Sequence, residues 1–156
     1  MASASTTLKL NWKKELNSDE REVCHVQAAL FELCQNRLQC DAFDFVYKFM
    51  HSNIAADMDC GELEYYDVDP LELLNTLPIT LLLQPMTGKK STAALHWVGY
   101  FYRYWAWLGT PSKQIIQVVP VENAYAAYGS LHTLDVREAI GMFVERVNET
   151  GNGFVS

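Results

Sequence analysis

The 156-residue sequence holds none of the short motifs that announce a chemistry. It has no C-x-x-C pair. Cys24, Cys34, Cys40 and Cys60 stand apart from one another, whereas zinc needs closely spaced ligand pairs, so no metal is expected. Cys24 and Cys34 lie in a helical pattern beside Leu30, Phe31 and Leu33. They are expected to be reduced, buried, small apolar residues. There is also no G-x-S-x-G, no H-E-x-x-H and no G-x-x-x-x-G-K-[ST]. The fragment Gly88-Lys89-Lys90-Ser91 follows no strand pattern, and His25, His51, His96 and His132 are scattered. No cofactor and no catalytic residue is assigned on these grounds.

Positive charge is scarce too. Twelve basic residues face nineteen acidic ones, for a formal net charge of -7. Phosphate backbones and anionic membranes repel such a chain, so nucleic acid is disfavoured and a basic partner suits it. No apolar run reaches the roughly 20 residues that a membrane span needs. The nearest, Thr92 to Leu108, contains His96 and Arg103. The first twenty residues carry no continuous apolar segment of the secretory type, and a cytoplasmic location is the expectation. No repeat period and no linker interrupts the chain. One domain over 1–156 is expected, with 1–17 and 150–156 flexible.

What is present is helical periodicity. Val23, Val26, Leu30, Leu33 and Cys34 recur three and four apart, marking one buried face of a helix that begins near Ser18 as its cap. Asp41 can cap a second helix carrying Phe45, Val46, Phe49 and Met50. Ile54 and Met58 mark a short helical turn. Gly61 and Pro70 bracket a loop with Glu62, Glu64, Asp67 and Asp69, and Pro70 suits the first turn of another helix with Asp69 as its cap. Pro78 interrupts the apolar run that follows. Ser91 caps, and Gly109 ends, a helix rich in aromatics. Thr110 with Pro111 opens a short helix that Pro120 ends. A further one closes at Gly129, and Asp135 with Glu138 resembles a capping box before the last helix. The expected fold is all-α, a single-domain bundle of about seven helices around the central aromatic one.

That aromatic helix packs Trp97, Tyr100, Phe101, Tyr102, Tyr104, Trp105 and Trp107 into a few turns. Aromatics cover most of its circumference, and a helix apolar all round is buried centrally. Gly99 and Ala106 would allow close approach of neighbours. Tyrosine hydroxyls want partners, and Arg103 must be paired or stay wet. Asp135, or the acids between Glu62 and Asp69, are the expected partners of Arg103. A pocket of Arg103, Tyr104, His132 and Asp135 is the candidate site, able to receive a carboxylate or a backbone carbonyl.

The segments GYFYRYW, SKQI, AYAAYGSLHTLD and REAI, over about residues 92–145, resemble a family of small, largely uncharacterised bacterial proteins found in toxin–antitoxin-like settings. The resemblance rests on a Y-x-Y-R-Y-W helix and an H-T-L-D step. It implies roles for Tyr100, Tyr102, Arg103, Tyr104, Trp105, Ser112, Lys113, Tyr128, His132, Thr133 and Asp135, while Leu131 stands where the family carries an aromatic.

Tyrosine and tryptophan are the residue types that anchor interfaces. The leading expectation is a non-enzymatic protein-interaction module, antitoxin- or immunity-like, that binds a bacterial protein such as a basic toxin. The acidic stretch 57–72 is one candidate surface. Its binding residues are expected among Tyr100, Arg103, Tyr104, Trp107, Ser112, Lys113, Tyr128, His132, Thr133 and Asp135. The alternatives are a small-molecule or nucleotide-like ligand-binding domain, and an enzyme using Arg103, His132 and Asp135.

Overall fold

The computed structural model describes residues 8, 10–61, 65–78 and 82–150. Eight helices follow one another among the described residues. They are α1 (Ser18–Leu38), α2 (Ala42–Met50), α3 (Asn53–Asp59), α4 (Pro70–Thr76), α5 (Thr92–Trp107), α6 (Ser112–Val118), α7 (Val121–Leu131) and α8 (Val136–Thr150). No β-strand occurs among these residues; Cys40 and Pro85 form one isolated antiparallel bridge. The all-α expectation holds.

Local sequence chemistry sets most helix ends. Asn17, not Ser18, caps α1. Its side chain accepts from Glu20 N while Glu20 returns a bond to Asn17 N, a reciprocal box that satisfies two free amides. Asp41 accepts from the amides of Phe43 and Asp44, Asp69 from Leu71, and Ser91 from Ala94. Thr110 does not cap α6. Pro111 occupies that position without a side-chain bond, and the Thr110 hydroxyl instead accepts from Trp105 Nε1 at 3.0 Å. The aromatic core takes the hydroxyl because a buried indole N–H needs an acceptor. Helix α7 runs through Gly129 to Leu131, since a glycine ends a helix only where the chain turns left-handed.

Helix α5 is the centre. Ten of its sixteen residues are buried, and it packs against α1, α6, α7 and α8. Phe101, Tyr102, Arg103 and Trp105 have no exposed surface. At Gly99 the chain leaves no room for a side chain, because a Cβ there would lie 2.7 Å from Ala28 Cα and 2.8 Å from the Gln27 carbonyl oxygen. The missing side chain lets α1 and α5 touch backbone to backbone. Phe31, Phe45 and Phe49 close the α1–α2 side through edge and stacked contacts.

Residues 8 and 10–17 are held by named contacts, while the expectation of flexibility for 1–7 and 9 lies outside the described residues. Leu8 and Leu16 are buried. Asn11 N donates to Leu108 O at 2.8 Å, Leu8 N to Asn148 Oδ1 at 2.8 Å, and Arg137 to the carbonyls of Trp12 and Lys14. Buried leucines recover in burial what ordering the segment costs in entropy. The expectation for 151–156 lies outside the described residues, as does that for 79–81 after Pro78.

Candidate functional site

The expected pocket of Arg103, Tyr104, His132 and Asp135 does not assemble. Arg103 turns the other way. Its Nε donates to Gln27 Oε1 at 2.8 Å, Nη1 to Asp59 Oδ1 at 2.5 Å and Nη2 to Ser112 Oγ at 3.0 Å. Asp59 also accepts from Ser112 N at 2.8 Å and from Ser112 Oγ at 2.6 Å. Gln27 Nε2 donates to the Gly99 carbonyl at 3.0 Å. The result is a polar knot joining α1, α3, α5 and α6.

Burial pulls the Arg103 pKa down, and the Asp59 charge and hydrogen bond push back. Arg103 has no exposed surface, and Nε, Nη1 and Nη2 each hold a protein partner. This knot fastens helices together and leaves no cationic face for a ligand. The acids expected to pair with Arg103 do other work. Asp135 accepts from Arg137 N at the start of α8, and Asp69 caps α4. Glu62 and Glu64 lie outside the described residues. Of the acidic stretch 57–72, Asp59 is thus spent inside the molecule.

The remaining predicted residues fall into separate places. Tyr104 lies under Arg137, whose Nη1 donates to its hydroxyl at 3.2 Å. Trp107 packs 3.9 Å from the Cβ position of Gly61. The Lys14 ammonium lies 5.9 Å from its ring centroid, and its Nε1 has no hydrogen-bond partner among the described residues. Lys113 and Thr133 are exposed.

Three of them do converge. Tyr100 from α5, with Tyr128 and His132 from the end of α7, line an open groove of about 580 Å³ together with Glu32, His96, Trp97, Leu134 and Val136. The spacing explains the α5 wall, because positions 93, 96, 97 and 100 are three and four apart and share one face. Trp97 stacks on Phe101 at 4.8 Å between centroids and meets Tyr128 edge-on at 6.1 Å. Tyr128 stacks on His132 at 4.2 Å.

The groove holds polar groups that the fold leaves open. His132 Nδ1 donates to the Tyr128 carbonyl at 2.7 Å, and His96 Nδ1 pairs with Glu32 Oε1 at 2.8 Å. Each bond commits the Nδ1 proton and leaves Nε2 without a partner among the described residues. The hydroxyls of Tyr100 and Tyr128 have none there either. Burial first, then the nearby Cys24, Tyr104 and Asp135, push the Tyr100 phenol above its ordinary value. It therefore remains a neutral hydroxyl.

Sequence reading missed Glu32, Gln27 and Asp59. Nothing in the local pattern marks them: Gln27 and Glu32 read as ordinary helix residues, and Asp59 ends a short helix. His96 and Trp97 carried a usable signal, the four-residue ladder to Tyr100. Comparison of the chain with known protein families, with curated proteins and with solved structures gives no match.

Proposed function

We propose that the chain is a non-enzymatic protein-interaction module, antitoxin- or immunity-like and working in the bacterial cytoplasm, that receives a basic side chain of a partner protein in the α5–α7 groove. The observation that carries this reading is the groove itself. Three aromatic residues, Trp97, Tyr100 and Tyr128, stand around the Glu32–His96 pair. Aromatic faces attract a cation within about 6 Å by about 0.5–2 kcal/mol each. The Glu32 carboxylate lies on the wall of the same groove. The open imidazole nitrogens and phenol oxygens can accept guanidinium N–H bonds. A net charge of -7 favours encounter with a basic surface. No helix among the described residues is long and apolar enough to cross a membrane.

Titration calorimetry at low salt with a nine-residue arginine peptide and a nine-residue glutamate peptide tests the charge preference. Binding of the arginine peptide only is expected, weakening as salt screens the charges. Trp97→Ala and Tyr128→Ala, verified as folded by circular dichroism, are expected to weaken it tenfold or more, about 1.4 kcal/mol. Equal binding by the glutamate peptide, or arginine-peptide binding untouched by both substitutions, would remove the groove from this role. Affinity capture from a bacterial lysate on wild-type and Trp97→Ala protein in parallel would then identify the natural partner.

A further inference from the structure

Cys34 and Cys40 meet where α1 gives way to α2. Gln39 takes the left-handed conformation, φ 53° and ψ 41°, that ends α1. In this kind of helix ending the residue after the left-handed one folds back over the last turn and packs on a side chain there. Cys40 stands in that position. Its Sγ donates to the Cys34 carbonyl at 3.5 Å, and Cys34 Sγ donates to the Phe31 carbonyl at 3.3 Å. The two sulfurs are neighbours, so the Cys34 S–H can turn from the Phe31 carbonyl to a Cys40 thiolate. Both are buried and both are free.

The arrangement is unlike that of the other two cysteines. Cys24 is buried with no second thiol beside it, and burial pushes it up to about 12. Cys60 is exposed. At the α1–α2 joint the two sulfurs share one hydrogen bond once Cys40 loses its proton. It holds Cys40 below its ordinary value against the opposing effect of burial, while the same bond together with burial raises Cys34. Cys40 is therefore the sulfur poised to ionise and Cys34 the one that keeps its proton.

Cys40 pairs with Pro85 in the isolated antiparallel bridge. Residues 84–86 cross over the joint, held by Asp41 N to Gln84 O at 2.9 Å and Met86 N to Gln39 O at 3.1 Å. Gln84 and Pro85 are exposed. Gln84 N also donates to Asp44 Oδ2 at 2.8 Å, and breaking these three hydrogen bonds is the kind of local opening that costs less than global unfolding.

We propose that Cys34 and Cys40 form a redox-modifiable dithiol, closed reversibly to an intramolecular disulfide by hydrogen peroxide or a small disulfide such as oxidised glutathione. With peroxide, the Cys40 thiolate attacks one oxygen, the O–O bond breaks and hydroxide leaves, taking up the proton the thiol released to become water, which gives a sulfenic acid. Cys34 sulfur then attacks the Cys40 sulfur, the S–S bond forms and a second water leaves. Two thiols lose two electrons and one peroxide gains them. With a small disulfide, the same two electrons leave two small thiols behind.

The full chain carrying Cys60→Ser is the suitable material, because it lacks the exposed thiol that would cross-link two molecules. The folded protein is treated with hydrogen peroxide at neutral pH, then denatured and alkylated. Before alkylation the expected product is about 2 Da lighter, as loss of two hydrogens requires; after it, the product carries one alkyl group instead of three, and dithiothreitol beforehand restores three. Trypsin cuts after Arg37, between the two cysteines, so the bond appears as two joined tryptic peptides. Fragment ions are expected to place alkylated Cys24 outside the bond, and Cys40→Ser added to Cys60→Ser is expected to abolish the joined peptides. Three alkylated thiols after an exposure that oxidises the urea-unfolded protein would overturn the proposal. So would a bond involving Cys24, or sulfinic acid at Cys40 with Cys34 still free.

Discussion

A single charged side chain decides how four helices meet. Arg103 has no solvent to fall back on, so its charge is stabilised only by Asp59, Gln27 and Ser112. Replacing one member of such a pair removes the other's counter-charge, and Asp59 then keeps only its bonds to Ser112. Arg103→Met is expected to cost about 3–5 kcal/mol in urea denaturation. Adding Asp59→Asn to it should recover part of that loss, because the stranded carboxylate is then neutral; strict additivity of the two changes would show that they do not interact. Asp44 gives a pH-dependent case. Burial alone would raise its carboxyl, but Lys48 Nζ at 2.8 Å and the Gln84 amide bring it below the ordinary 3.8. A depressed carboxylate stabilises the fold above its unfolded pKa, and that contribution disappears as pH falls through the folded value. Asp44→Asn is therefore expected to cost about 1 kcal/mol at neutral pH. The difference between variant and wild type should shrink toward zero near about pH 2. A difference constant over that range would show that the carboxylate's charge contributes nothing.

At the scale of elements, two glycines in helices predict opposite outcomes. Gly99 faces the backbone of α1 at a distance no side chain tolerates. Gly99→Ala must push α1 and α5 apart and is expected to cost about 1–3 kcal/mol or more. It should also weaken the bond from Gln27 to the Gly99 carbonyl. Gly129 lies in α7 with open space around its Cβ position. Gly129→Ala restricts the unfolded chain and adds helix propensity, so a gain of about 0.5–1 kcal/mol is expected. Thermal melts of the two variants beside wild type read both signs, and a neutral Gly99→Ala would contradict the close approach of α1 and α5.

At the scale of the whole molecule, one apolar cluster joins every helix, from Leu8 beside the lead-in to Val147 in α8. No second core exists among the described residues to unfold by itself. Far-ultraviolet circular dichroism, which reads the helices, and tryptophan fluorescence, to which the buried Trp105 contributes, should give one coincident denaturation curve. Separated midpoints would mean that part of the bundle melts independently.

The all-α class, the caps at Asp41, Asp69 and Ser91, and the central place of α5 were legible because they depend on local chemistry and on the period of apolar residues. A cap is a contact within three residues, and a stripe is a property of one helix. The partner of Arg103 was not legible. Asp59 is 44 positions away in sequence, and several acids competed for the role on equal terms. The candidate site divided for the same reason. Arg103 and Ser112 turned inward to a structural knot, while Tyr100, Tyr128 and His132 met Glu32, His96 and Trp97 in an open groove. Periodicity says which residues share a face of one helix. Only the packing of α1, α5 and α7 against one another decides which faces close into the core and which leave their polar tips free to bind.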